Sequence, residues 1–270
     1  MIYKLLGVLG VIIIITGFVF SFNIFMHSAV VIALGWLFLM LFLNKQYFNV
    51  SNYGGVRKKL FFPALIIVGA LAAVVIEYVG LYISPAWVYA YNFFDPTYHF
   101  WLAIALYVTY PFAAYETFVL VRNILGDYKR EDKTDKTGLA LSLACLVFII
   151  FPFVFESVKY PGLPFEFFIA GLFALSDIIN YRVTGRSVIT RSLADYRYLV
   201  AFLLTTLTMA VISEYANIIS YAWRYINIPW LETALLGVPV IILVGWIPLV
   251  GMWVNFFEAI KKSVSKKVGL

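Results

Sequence analysis

The sequence predicts an all-α integral membrane protein: eight transmembrane helices forming two parallel four-helix repeats, with both termini cytoplasmic. Three observations carry that reading. Hydrophobic residues make up 63% of the 270-residue chain and charged residues only 13%, against about 25% charged in an average soluble domain. Apolar stretches of roughly 20 residues, the length that crosses a bilayer, recur from end to end. Landmarks of the first half also return in the second at a nearly constant offset.

The first apolar run, "LLGVLGVIIIITGFVF", follows a single Lys, as in a signal peptide. It lacks a clear small-residue cleavage site and another apolar run follows at once, so it reads as a retained helix. Spans are predicted near 4–21, 24–43, 60–84, 97–123, 138–155, 164–180, 197–220 and 233–259. The connections at 44–59, 124–137 and 181–197 and the tail "KKSVSKKVGL" hold most of the Lys and Arg. Those at 22–23, 85–96, 156–163 and 221–232 hold only Lys159 and Arg224. The positive-inside rule then places both termini in the cytoplasm, and the expected location is the plasma membrane, as a multi-pass protein. Pro111, Pro152 and Pro248 fall within spans and predict kinks.

The strongly charged segment 124–137 divides the chain into halves, 1–123 and 138–270. Glu77 and Glu214 lie 137 apart, as do Asp95 and Glu232, and Pro111 and Pro248. Gly35/Gly171, Asn44/Asn180, Trp87/Trp223 and Tyr89/Tyr225 match at 136. An even number of helices per copy gives both copies one orientation. The expected symmetry is a pseudo-twofold along the membrane normal.

The net charge of +6 sits in the short loops and reads as a topology signal, which excludes nucleic acid as its reason. Cys145 is the single cysteine. It allows no intramolecular disulfide and no cysteine metal knuckle, and reads as packing. No HExxH, phosphate-binding glycine loop, aspartate-rich diphosphate motif or Ser-His-Asp constellation is visible, so neither metal nor cofactor is expected.

The chemistry-bearing candidates are repeated. Glu77 and Glu214 each fall about 17 residues into a helix that starts on the cytoplasmic side, roughly 25 Å along its axis and in the outer third of the bilayer. A carboxyl there should face the bundle interior and favour its neutral form, able to donate a hydrogen bond or a proton. An intramembrane ionisable residue marks function by default; the bland reading is a structural interhelix hydrogen bond. Asp95 and Glu232 join them as catalytic candidates, each opening the following helix. The bland reading makes Asp95-Pro96 an N-cap and first-turn proline and Glu232 a favourable first-turn charge. Trp87, Tyr89, Tyr91, Trp223, Tyr225 and His99 are the candidate substrate-binding residues, against the ordinary reading of an interfacial aromatic belt.

The remaining polar residues are unmatched across the halves. Glu116 and Asp177 lie toward the cytoplasmic ends, where Arg122 and Arg182 could neutralise them. Glu156 and Glu166 flank the 156–163 loop and are expected to be solvated. His27 and His99 begin the second and fourth helices on the outer side. They could ligate a haem axially or be plain interfacial residues, and His99 is one turn from Asp95.

The stretches "IEYVGLYISPAWVYAY" and "LLGVPVIILVGWIPL" resemble the membrane-embedded carotenoid biosynthesis proteins, the carotenoid hydratase and lycopene cyclase-like group. The hydratase pattern has a glutamate, a glycine three on, then an aromatic and spaced tyrosines, as in Glu77, Gly80, Trp87, Tyr89 and Tyr91. Its Gly-Val-Pro, apolar run and tryptophan resemble Gly237-Val238-Pro239 and Trp246. The likeness covers about a fifth of the chain. The family's Thr-Gly and Phe-Gly steps and the cyclases' adjacent Pro-Glu-Glu are missing, and the tyrosine spacing differs by about one. What the resemblance implies is an isoprenoid or carotenoid-lipid modifying enzyme. Protonation of a carbon–carbon double bond needs an acid held neutral until use, and aromatic faces steady the cation that results.

Two other classes stay open: a transporter or channel whose half-bundles carry protons, ions or lipids past the glutamates, and a membrane subunit of a larger, respiratory-type complex. The expected partners are membrane lipids, a hydrophobic isoprenoid-like substrate, and further copies or subunits in an oligomer or complex.

Overall fold

The computed structural model describes residues 2–24, 26–50, 53, 55–89, 96–126, 136–155, 159–220, 222–235 and 237–265, and their side chains except at 20–24, 26–28, 96–100, 219 and 220. It is about 82% helical. Eight helical stretches among the described residues are long and apolar enough to cross a membrane. The chain is a helical, multi-pass membrane protein.

Helices α1 (Ile2–Ile24) and α2 (Met26–Phe48) form a hairpin, and α3 (Lys58–Tyr78) leads by a strand to the long α4 (Pro96–Leu125). After α5 (Lys136–Cys145), α6 (Phe151–Val154) and α7 (Leu163–Thr184), the short α8 (Val188–Ala194) precedes α9 (Tyr196–Ser220) and α10 (Val240–Ser263). Helix α4 is the most enclosed span, packed against α2, α3, α9 and α10, while α10 also packs on α7. On the rim of α3, Ile67, Leu71 and Tyr78 are all more than half exposed. So many outward apolar side chains suit hydrocarbon as the solvent, since soluble monomers rarely expose large contiguous apolar patches.

The interior is closed by aromatic packing. Tyr115 of α4 stacks on Phe257 of α10 with ring centroids 3.8 Å apart, and Phe61 of α3 meets the same Phe257 edge-on at 5.1 Å. Phe61, Phe118, Trp253 and Phe257 are fully buried.

Two predicted spans differ from the observed ones. Residues 138–155 form α5, a 3₁₀ turn at Leu146–Ile150 and the four-residue α6. Pro152 sits in the first turn of α6, where its missing N–H removes no helical bond. The last span begins at Val240 rather than 233. The preceding residues fold into a small hairpin, β3 (Ala234–Leu235) paired with β4 (Val238–Pro239) through Gly237. Pro239 biases Val238 toward extended backbone, so the helix starts only after the proline. By contrast, α4 and α10 run uninterrupted through Pro111 and Pro248.

The end of the bundle near α8 is tied by a buried polar network. Asp177 accepts from Ser142 Oγ at 2.7 Å, Asn255 Nδ2 at 3.1 Å and the Ile189 N–H at 3.1 Å. These donors replace the expected partner Arg182, because α8 folds back over Asp177. A Ser187–Thr190 capping box starts α8. Asn44 and Asn180, matched by the sequence offset, each donate to a buried glutamate: Asn44 to Glu116 at 2.8 Å and Asn180 to Glu258 at 3.1 Å.

Arg191 Nη1 lies 2.7 Å from Glu258 Oε1. Burial works against the Arg191 charge, but Glu258 outweighs it and holds the guanidinium protonated. Removing one partner of such a pair leaves the other charge uncompensated. Arg191→Ala is therefore expected to lose on the order of 3 kcal/mol of stability, read as a lower unfolding temperature in detergent. A loss no larger than that of an exposed Lys262→Ala control would show that the pair is idle.

Candidate active site

Glu77 lies one residue before the end of α3, where the helix widens into a π-turn at Val79–Ile83. Such turns are rare and concentrate at functional sites. Within the turn Gly80 lies against Trp87: a Cβ there would fall 2.0 Å from the indole. The ring lies directly on the glycine, and only a residue without a side chain admits it.

Beyond the turn, Trp87–Tyr89 forms β1, which pairs antiparallel with β2, Trp223–Tyr225. The register is crosswise, with Trp87 opposite Tyr225, Tyr89 opposite Trp223 and Val88 opposite Arg224. Alternate residues of a strand share a face. The Trp-x-Tyr spacing therefore turns all four aromatics inward to line one cavity, while Val88 and Arg224 are exposed. Trp87 is only 7% exposed, so it is a wall of the interior and not a belt residue.

The ribbon carries each tyrosine to the glutamate of its own half. Tyr89 donates its hydroxyl to Glu77 Oε2 at 2.6 Å, and Tyr225 donates to Glu214 Oε1 at 2.7 Å. Glu214 Oε1 also accepts the Trp246 indole N–H at 3.0 Å. Burial, and then the adjacent glutamate, push both phenols well above their ordinary range. They keep their protons and act as donors. The halves differ at the position of Gly80: its match is Asn217, whose Oδ1 accepts the Trp223 N–H at 2.9 Å.

Glu77 and Glu214 line one cavity of about 750 Å³, including its open mouth. A third carboxyl, Glu166 of α7, lines it as well, together with Tyr107 and Tyr110 of α4. The sequence places Glu166 at a solvated loop flank; instead α7 begins at Leu163 and carries it inward. Trp87 meets Phe165 edge-on at 4.8 Å, and Tyr110 meets Trp246 at 5.6 Å. Loops close over one side. Asn227 Nδ2 donates to the Pro85 carbonyl, the Gly162 N–H donates to the Asn227 carbonyl, and Ser84 Oγ donates to the Pro161 carbonyl.

The sequence candidates thus divide. Glu77, Glu214, Trp87, Tyr89, Trp223 and Tyr225 come together in this cavity. Glu232 does not: it lies exposed in the turn before β3, eight residues ahead of α10, because the hairpin delays that helix. Tyr91, Asp95 and the side chains of His27 and His99 lie outside the described residues. Of the polar and ionisable cavity residues, sequence reading missed Glu166, Tyr107 and Tyr110. Trp246 entered only as a family-like landmark, although its ring is a direct partner of Glu214.

The arrangement offers carboxyls in a pocket walled by aromatic and aliphatic side chains. Such a pocket can give a proton to an apolar ligand, take one back, and steady positive charge between the two events. Among the described residues no group of three or more His, Cys, Asp or Glu is placed to hold a metal ion. No family model, curated protein or solved structure matches the chain.

Proposed function

We propose that this protein is a membrane-embedded enzyme that performs acid–base chemistry on an isoprenoid or carotenoid-type polyene. In this reading two parallel four-helix repeats with cytoplasmic termini enclose the site between them. The observation that carries it is the convergence of Glu77 and Glu214, each bonded to a tyrosine, on one aromatic-walled cavity. The crosswise strand register supports the repeat, since it puts matched residues in matched roles about a local twofold through Val88 and Arg224. The cavity suits the end group of a long polyene, whose remainder would lie among lipid chains.

The simplest balanced reaction is an isomerising cyclisation. A carboxyl proton adds to one carbon of a double bond, a second double bond attacks the cation to close a ring, and a neighbouring C–H proton returns to a carboxylate. No oxidant or co-reactant is consumed. Hydration follows the same first step, with water taking the cation instead. A transport path through discontinuous helices fits less well, because α4 and α10 continue unbroken through Pro111 and Pro248.

The test is expression in a host that accumulates a linear polyene, with products separated by chromatography and weighed by mass spectrometry. The expected result is a product of equal mass to the substrate, or heavier by one water, only when the chain is present. An unchanged polyene pool, with the protein folded in the membrane, would overturn the reading.

A further inference from the structure

The three cavity carboxyls are not equivalent, and the difference lies in their hydrogen bonds. Glu77 accepts from Tyr89. Glu214 accepts from both Tyr225 and Trp246. Glu166 makes no side-chain hydrogen bond and no ion pair with any described residue, although it lines the same space. Its carboxyl lies against Gly245 of α10, where a Cβ would fall 2.5 Å from Glu166 Oε2. The glycine is the notch that admits this side chain. Neither position of the first half that the offset matches to Glu166 is acidic: they are Ala29 and Val30.

We infer that Glu166 is the proton donor of the cavity and that Glu77 and Glu214 are its proton acceptors, an assignment that deepens the polyene reading above and rests on it for the identity of the ligand. A carboxylate that accepts hydrogen bonds from phenol and indole is stabilised as an anion. Glu166 has no such donor, so no protein group is arranged to hold its anion. The first turn of α7 favours negative charge there, but that effect is small. The Glu166 O–H is also the one uncommitted to a protein acceptor, and so is available to a ligand. In the reaction it breaks its O–H bond as the new C–H bond forms. The proton lost later goes to one of Glu77 and Glu214 while the charge of the other steadies the cation, and transfer across the cavity restores Glu166.

The test is labelling of the purified wild-type protein with dicyclohexylcarbodiimide, which attacks protonated carboxyls in apolar surroundings, followed by peptide mass spectrometry. The expected result is an acylurea on Glu166, with Glu77 and Glu214 unmodified, and loss of label in Glu166→Gln. Gly245→Ala, which keeps the acid but crowds its seat, should lower labelling at Glu166. Label on Glu77 or Glu214 with Glu166 unmodified would overturn the assignment, as would absence of label from all three. This measurement needs no polyene, so it separates from the product assay: a wild type that labels at Glu166 yet forms no product sinks the ligand's identity and leaves the donor assignment standing. Full product formation by Glu166→Gln would overturn the donor role.

Discussion

Glu77→Gln and Glu214→Gln should each lower product formation from a polyene by about 10²–10⁴-fold, the usual contribution of a positioned acid or base. Glutamine keeps the size and shape of glutamate. Its amide oxygen can still accept from Tyr89 in one half, and from Tyr225 and Trp246 in the other. The packing around α3, α9 and α10 is therefore kept, and the stability change should stay near 1 kcal/mol, the scale of one hydrogen bond. What is lost is the anion: an amide neither takes a proton from carbon nor offers charge to a cation. Product formation assayed beside the unfolding temperature separates the two effects. Wild-type product from both variants would remove the glutamates from the chemistry and leave them as structural hydrogen-bond acceptors.

Gly80→Ala should disrupt the same site from outside its hydrogen bonds. The new methyl would stand 2.0 Å from Trp87 Cη2 and 2.8 Å from the adjacent Cζ2. Neither the π-turn backbone nor the indole can yield that distance without movement. Overpacking of this kind costs about 1–3 kcal/mol. The ring is also the residue that opens β1, so its displacement pulls on the pairing of Trp87 with Tyr225 and of Tyr89 with Trp223. The expected outcome is a changed environment for tryptophan fluorescence, a lower unfolding temperature, and loss of ligand binding. Asn217→Ala, at the matched position, should act differently. It removes the acceptor of the Trp223 N–H without adding bulk, so it should weaken β2 and leave Trp87 in place.

The eight spans were legible because hydrophobicity is a running property of the chain. A limit was legible where proline punctuates the chain, as with Pro96 at the start of α4, whereas α7 runs four residues past its predicted end before Gly185 stops it. The reading failed where tertiary pairing overrode the local pattern. The residues before Val240 read as the start of a helix, yet the β3–β4 hairpin holds them out of it and leaves Glu232 exposed. The Trp-x-Tyr motifs read as candidate ligand contacts with an interfacial belt as the alternative, because three residues are too few for an alternation to show. Only their pairing across 136 positions makes them a ribbon.

Composition and the duplicated landmarks by themselves determined a multi-pass helical protein with a buried glutamate and a Trp-x-Tyr motif in each half. Those properties are local, and a single chain carries them in its order of residues. The tertiary structure alone decided that the two motifs meet crosswise, that each tyrosine holds its own half's glutamate, and that Glu166 enters the same cavity from α7. The physical reason is that hydrogen bonds and cavity walls are made between helices distant in sequence. Glu166 differs from Glu77 and Glu214 in what donates to it, and no spacing along the chain records that difference.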